Sequence, residues 1–245
     1  GDPATWHEEK EKAKELAKLG TINILLHFNV DLSEGAIARA LVTCTEAKSA
    51  AIQELQLPSR YSRGLATGSG TDSTIIVANA ESGYRYTNTG KHSKLGEIIG
   101  RAVKTAVKEA LGKQSNSTPQ RQHNVIRRME RFGLFEDPLW ERFDRENPGL
   151  LSRAAFADRY WHVTNNDMYV TYTSLYAHLL DQVDWRLISC REALTAGSEL
   201  LKLMGAPSTV RTDIENQEEC ITEMVELFTH GLLLKFIPPR SAEED

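Results

Sequence analysis

A glycine-rich turn that leads directly into a β-branched strand constrains this chain most. The turn spans residues 66–73 (ATGSGTDS), and the apolar run at 74–78 (TIIVA) follows it. Glycines and small hydroxyl residues surround one carboxylate, and such a turn leaves backbone N–H groups uncovered. A Walker phosphate loop has wider glycine spacing and then Lys-Ser/Thr, whereas Thr71 and Asp72 follow the second glycine here. The turn therefore indicates either a ligand close to the main chain or an ordinary hairpin.

Composition and charge exclude several classes of protein. The chain has 245 residues, 40% apolar and 26% charged, which is typical of a globular protein with a buried core. Its net charge is −5, so no basic nucleic-acid-binding surface is expected. The acidic excess lies entirely in residues 113–245. No apolar run is long enough to span a membrane, and the polar first residues do not predict a signal peptide. Three widely spaced cysteines fit neither a disulfide framework nor a zinc site, so a reducing cytoplasm is expected.

A polar stretch at residues 112–119 divides the chain into two parts. The first part, 1–112, predicts a charged helix (6–19), a strand (21–30), a helix (33–54), two strands around the glycine-rich turn (64–68 and 71–80), a short strand (84–87) and a helix (93–111). This order predicts an α+β fold, in which helices cover a mixed sheet with at least one antiparallel pair. The second part, 113–245, predicts an all-α accessory domain of five or six helices.

Three titratable side chains are candidates for catalysis. His92 precedes a predicted helix, whose free N–H groups attract an anionic or carbonyl group; alternatively, His92 or Ser93 only caps that helix. Glu46 lies in the middle of a predicted helix, where a solvated face is the alternative. Asp72 suits a base, a ligand anchor or a residue that stabilises the turn. Together the three suffice for amide hydrolysis or for a metal site, but their spacing does not show that they converge.

Four short segments occur in a fixed order along the first part of the chain. They are residues 20–24 (GTINI), 45–51 (TEAKSAA), 66–73 (ATGSGTDS) and 90–100 (GKHSKLGEIIG). Together they closely resemble the adenosylcobinamide amidohydrolase family, over about residues 1–112. The resemblance implies an enzyme of corrinoid salvage, which hydrolyses the amide between the aminopropanol arm and the corrin ring to give adenosylcobyric acid and aminopropanol. The corrinoid would be the substrate, its cobalt would not be the catalyst, and a role for another metal stays open.

With this reaction in view, we expect an open cleft between the sheet and a helical cover. Glu46, Asp72 and His92 would supply the acid and base groups. The turn would shape the substrate site and offer N–H groups to an oxyanion, through Thr67, Gly68, Ser69, Gly70 and Thr71. Asn23, Lys48 and Lys94 are further candidates for contacts with substrate amides or phosphate.

Two departures from the family pattern leave alternatives open. The first residues, 1–3, resemble the middle of the family domain, so the chain is expected to be a fragment, a cleavage product or one chain of a pair. Gly1 is not the Ser, Thr or Cys that an N-terminal nucleophile requires. Residues 113–245 extend beyond the resemblance. A corrinoid-binding protein without turnover and a helical protein-interaction module are therefore the alternatives to a hydrolase, and a homo-oligomer also stays open.

Overall fold

The chain divides into two compact units, residues 1–122 and residues 123–245. The computed structural model describes residues 3–4, 20–206 and 213–238. The helix predicted at 6–19 and the residues Gly1 and Asp2 lie outside these ranges. Within them, no helix combines the length and apolar character that crossing a lipid bilayer requires.

The first unit is a small α+β fold. Its elements are β1 (Asn23–Phe28), β2 (Asp31–Leu32), α1 (Glu34–Glu54), β3 (Ser73–Ala78), β4 (Arg85–Tyr86), α2 (Lys94–Ser115) and α3 (Pro119–Gln122). β1 pairs in parallel with β3, with Asn23 opposite Ser73, and β2 pairs in parallel with β4. Parallel neighbours need a crossover connection, which α1 provides between β1 and β3. The α+β class is confirmed.

Serine caps determine where both long helices begin. The hydroxyl of Ser33 accepts a hydrogen bond from Ala36 N, and that of Ser93 accepts one from Gly96 N. Each cap satisfies a backbone donor that the helix itself leaves free, so the predicted helix starts are confirmed. α2 continues past the predicted end at residue 111, and Asn116 ends it in a left-handed conformation with φ 53°. The polar stretch at 112–119 is therefore partly helical.

The hairpin predicted around the glycine-rich turn is wrong. Residues 64–68 supply only an isolated antiparallel bridge between Leu65 and Pro58. The strand after the turn, β3, pairs with β1 instead. Among the described residues the named strands pair in parallel, so antiparallel pairing is limited to that bridge. Within the turn, Ser69 binds Asp72 through both its hydroxyl and its backbone N–H.

The two faces of the β1–β3 sheet differ in burial. One face packs against α1 and α2, where small residues on α1 meet branched residues on α2. These core residues include Ala36, Ala40, Cys44, Ala47, Ala51, Ile99, Val103 and Val107. On the opposite face Leu25, Ile75 and Val77 are 66%, 60% and 43% exposed. The period of two along each strand produces this contrast.

The second unit is helical in its described residues, as the sequence predicts. Its α-helices are α4 (Val125–Met129), α5 (Glu136–Glu146), α6 (Arg153–Thr164), α7 (Asp167–Asp184), α8 (Cys190–Leu203) and α9 (Gln217–Leu233). Phe143, Phe156 and Phe236 form an aromatic cluster in its core. The buried hydroxyl of Tyr176 donates a hydrogen bond of 2.7 Å to Met224 O, which joins α7 to α9.

Candidate functional site

Asp72 is the centre of a hydrogen-bonded cluster at the edge of the sheet where β3 begins. Its Oδ1 accepts from Ile22 N at 3.1 Å and from Ser69 Oγ at 2.6 Å. Its Oδ2 accepts from Ser69 N at 3.0 Å and from Lys48 Nζ at 2.5 Å. An ionised carboxylate offers about four lone-pair positions, so donors occupy all of them.

The environment of Asp72 keeps it ionised. Burial alone would raise its pKa, but hydrogen bonds from Lys48, Ser69 and Ile22 and the charge on Lys48 outweigh burial and hold the pKa below its usual value. The Asp72 and Lys48 side chains are only 11% and 13% exposed. A carboxylate with every acceptor position filled is poorly placed to take a proton. The geometry therefore favours a positioning role for Asp72, and its catalytic role stays a prediction.

Gly68 allows the glycine-rich turn to close over this ion pair. A Cβ atom at residue 68 would overlap Asp72 Oδ2 and lie 2.8 Å from Lys48 Nζ. A Cβ atom at Gly70, in contrast, would meet nothing within 4 Å. Gly68 is thus required by a close approach of side chains, whereas Gly70 faces open space.

Two residues that the sequence reasoning missed hold the turn from both sides. Ser49 Oγ, on α1, donates to Thr67 O at 3.2 Å. Thr21 Oγ1, just before β1, is hydrogen-bonded to Thr71 Oγ1 and lies 3.4 Å from Ser69 Oγ. Thr21 lies inside segment 20–24, and Ser49 lies inside segment 45–51. Their position in these segments is the sequence signal that points to them.

A second cluster, where α2 begins, contains Glu46 and the segment that carries His92. Lys91 Nζ lies 3.0 Å from Glu46 Oε1, and both side chains are exposed. His92 is the next residue along the chain, directly before the cap residue Ser93, and it is exposed as well. The structure thus brings Glu46 to the segment that carries His92.

Buried hydrogen bonds fix this segment to α1. Thr89 Oγ1 donates to Ala36 O at 2.6 Å, and Thr43 Oγ1 donates to Thr89 O at 3.0 Å. On the other side, a Cβ atom at Gly96 would overlap Gly90 O and lie 2.8 Å from Thr89 O. The loop before α2 is therefore clamped between two helices, and the backbone that presents His92 has little freedom.

α1 separates the two clusters. Glu46 and Lys48 flank the buried Ala47, and at about 3.6 residues per turn they point to opposite sides of the helix. Lys48 binds Asp72, whereas Glu46 binds Lys91. Among the described residues, Asp72 forms no hydrogen bond or ion pair with Glu46 or His92. The three candidate residues form two clusters instead of one three-residue centre.

The remaining candidates, Asn23 and Lys94, are exposed surface residues. Asn23 is exposed at the start of β1, and Lys94 is exposed and paired with Glu97 at 2.7 Å. Burial raises the pKa of the Cys44 thiol, against opposing effects of a hydrogen bond with Thr74 and the charge on Lys48. In the ranges that the structure describes, no three His, Cys, Asp or Glu side chains group closely enough to hold a metal ion.

Comparison with family models finds a match over the part of the chain that carries the candidate residues. Residues 1–119 match the family model described as CbiZ, adenosylcobinamide amidohydrolase. An uncharacterized protein of Methanocaldococcus jannaschii is 49% identical over 98 residues, which cover 40% of this chain and 38% of that relative's length. The chain thus spans about two fifths of the curated relative that it matches. No solved structure matches the chain. Every candidate residue lies inside the matched range, so the part of the chain that carries the candidate site is similar to the adenosylcobinamide amidohydrolase family.

Proposed function

We propose that this domain hydrolyses the amide that links aminopropanol to the corrin ring of adenosylcobinamide, which gives adenosylcobyric acid. The match of residues 1–119 to the family model carries the proposal. The clamped segment before α2 carries the exposed His92 and, through Lys91, binds the Glu46 carboxylate, which supports this segment as a place for the chemistry.

Amide hydrolysis needs a group that activates water, a group that protonates the leaving amine, and donors that stabilise the oxyanion. We assign the proton transfers to His92, which is exposed and directly follows Lys91, the partner of Glu46. The carboxylate of Glu46 would orient the attacking water or the imidazole. The N-terminal end of α2 carries the positive end of the helix dipole and would favour a developing negative charge.

The Asp72 cluster has a supporting role in this proposal. Its ion pair with Lys48 holds the glycine-rich turn, whose exposed residues Gly70 and Thr71 would contact the substrate. A corrinoid is far larger than one amide group, so contacts at the turn and proton transfer at His92 need not coincide. The separation of the two clusters by α1 is compatible with that division.

The decisive experiment is incubation of the purified full chain with adenosylcobinamide, followed by chromatography for adenosylcobyric acid. We expect product from the wild type and a kcat/KM lower by about 10²–10⁴-fold in His92→Ala, since general acid–base groups contribute about that much. His162→Ala is the matched control, because His162 is an exposed histidine in the second unit and should leave the rate unchanged.

The other outcomes separate the alternatives. Tight binding of adenosylcobinamide without product would favour a corrinoid-binding protein without turnover. Neither binding nor product would contradict the proposal. Full activity in His92→Ala would leave the reaction in place but reject His92 as its proton-transfer group.

A further inference from the structure

Two cysteines that are far apart in sequence meet in the second unit. Cys190 is the first residue of α8, and Cys220 lies in the first turn of α9, thirty positions later. Cys220 Sγ donates a hydrogen bond of 3.8 Å to Cys190 O. Both are free thiols in this structure. Because the Cys220 sulfur already contacts Cys190, we expect that a local rearrangement is enough to bring the two sulfur atoms within bonding distance.

The two thiols differ in accessibility. Cys190 is partly exposed and lines a surface cavity beside Asn216, whereas Cys220 is fully buried. Cys190 Sγ also lies 3.6 Å from Glu215 O, in the segment that leads into α9. Burial, followed by the hydrogen bond and the charge interaction with Cys190, raises the pKa of the Cys220 thiol to about 12. A reagent from solvent therefore reaches Cys190 first, and Cys220 can react only with a group already attached there.

We propose that Cys190 and Cys220 are a redox-active pair, which reacts with low-molecular-weight disulfides to form a reversible bond between α8 and α9. Accessible attacking thiols beside a resolving cysteine are typical of such sites. This inference is independent of corrinoid hydrolysis, since both residues lie outside the family domain.

The reaction proceeds in two exchange steps. The Cys190 thiolate attacks one sulfur of the disulfide R–S–S–R, which forms a mixed disulfide and releases R–S⁻. Cys220 then gives up its proton and attacks the Cys190 sulfur, which forms the Cys190–Cys220 bond and releases the second R–S⁻. The two protons from the cysteines convert the released thiolates to two R–SH. Two protein thiols are oxidised and one disulfide is reduced.

The test uses the full chain in buffers of graded oxidised and reduced glutathione. After each incubation the protein is acidified, unfolded and alkylated, and its mass shows how many of its three cysteines were free. We expect a single alkyl group, on Cys44, in oxidising buffer, and three after dithiothreitol. Peptide mapping should find Cys190 joined to Cys220. Three alkyl groups in oxidising buffer, or a lasting glutathione adduct on the wild type, would overturn the proposal.

Variants separate the two thiols. Cys220→Ser should retain one glutathione adduct on Cys190, because no second thiol remains to displace it. Cys190→Ser should gain none, since Cys220 is buried. Cys44→Ser is the matched control and should form the disulfide as the wild type does, because Cys44 lies in the first unit. Equal adducts on both single variants would contradict the assigned order of attack.

Discussion

At the scale of single residues, Asp72 shows how a sequence motif and its structural role differ. The sequence indicates a carboxylate in a glycine-rich turn, and this is what the structure contains. It does not reveal the distant partners, because Ile22 and Lys48 reach Asp72 from two other stretches of chain, whereas Ser69 lies in the same turn. Lys48 is notable because the sequence analysis assigned it to the substrate, whereas its ammonium group is bound to Asp72.

We expect Asp72→Asn to lower the free energy of unfolding by about 2–4 kcal/mol at neutral pH, because it leaves the mostly buried Lys48 charge without its partner. The double variant Lys48→Met/Asp72→Asn should lose less than the sum of the single variants. Urea denaturation measures the unfolding free energies of the wild type, the two single variants and the double variant. Glu97→Gln, which breaks exposed pairs on α2, is the control and should cost below about 1 kcal/mol. Strict additivity of the two substitutions would show that the ion pair is not coupled.

Because the pKa of Asp72 is lowered, the stabilisation from the ion pair between Asp72 and Lys48 depends on pH with a known sign. The folded chain binds the proton less readily than the unfolded chain, so the stabilisation is complete above the ordinary Asp pKa of about 3.9. It is lost as the pH falls through the lower value of the folded state. We expect the difference in unfolding free energy between wild type and Asp72→Asn to keep its full value down to about pH 4 and to shrink as the pH falls further. A difference that does not shrink below about pH 4 would contradict the assignment.

At the scale of secondary-structure elements, caps are predictable from sequence and strand partners are not. Ser33 and Ser93 mark the beginnings of α1 and α2 because a serine cap acts within one turn of its helix. The pairing of β1 with β3 depends on α1 lying between them, and the pattern of neither strand contains that information. A polar turn between two apolar runs therefore resembles a hairpin even where the chain makes a crossover.

Gly96 tests how tightly α2 packs on the loop that carries His92. In Gly96→Ala the added methyl group would overlap backbone atoms of Gly90 and Thr89, which cannot rotate away. We expect a loss of about 1–3 kcal/mol in unfolding free energy, together with lower hydrolytic activity. Gly100→Ala, on the same helix with nothing within 4 Å, should be neutral or stabilising by about 1 kcal/mol. Thermal and urea denaturation of both variants make the comparison, and equal losses would refute the close packing.

At the scale of the whole molecule, the chain contains two hydrophobic cores. The core of the first unit is built from small residues on α1 and branched residues on α2, whereas the second contains the aromatic cluster around Phe156. No residue belongs to both clusters as they are described. Because the second unit has its own cluster of buried residues, we expect that it can fold by itself.

We expect residues 123–245, expressed alone, to form a helical protein that unfolds cooperatively, because the second unit has its own core. Circular dichroism at increasing urea concentration measures both properties. The reference is the Phe156→Ala variant of the same fragment, which should lose about 3–5 kcal/mol because Phe156 is fully buried. A wild-type fragment without cooperative unfolding would show that the second core depends on the rest of the chain.

The parallel pairing of β1 with β3 has a consequence for how the protein folds. The hydrogen bond from Ile22 to Asp72 joins residues fifty positions apart, so the first unit must close a long loop before its sheet gains any stabilisation. In the second unit neighbouring helices such as α7, α8 and α9 pack on one another, and contacts of shorter range form sooner. Refolding should therefore show a fast helical phase and a slower one. The carboxylate of Asp72 acquires its partners only in the slow phase, so this cluster is completed late in the folding of each newly made chain.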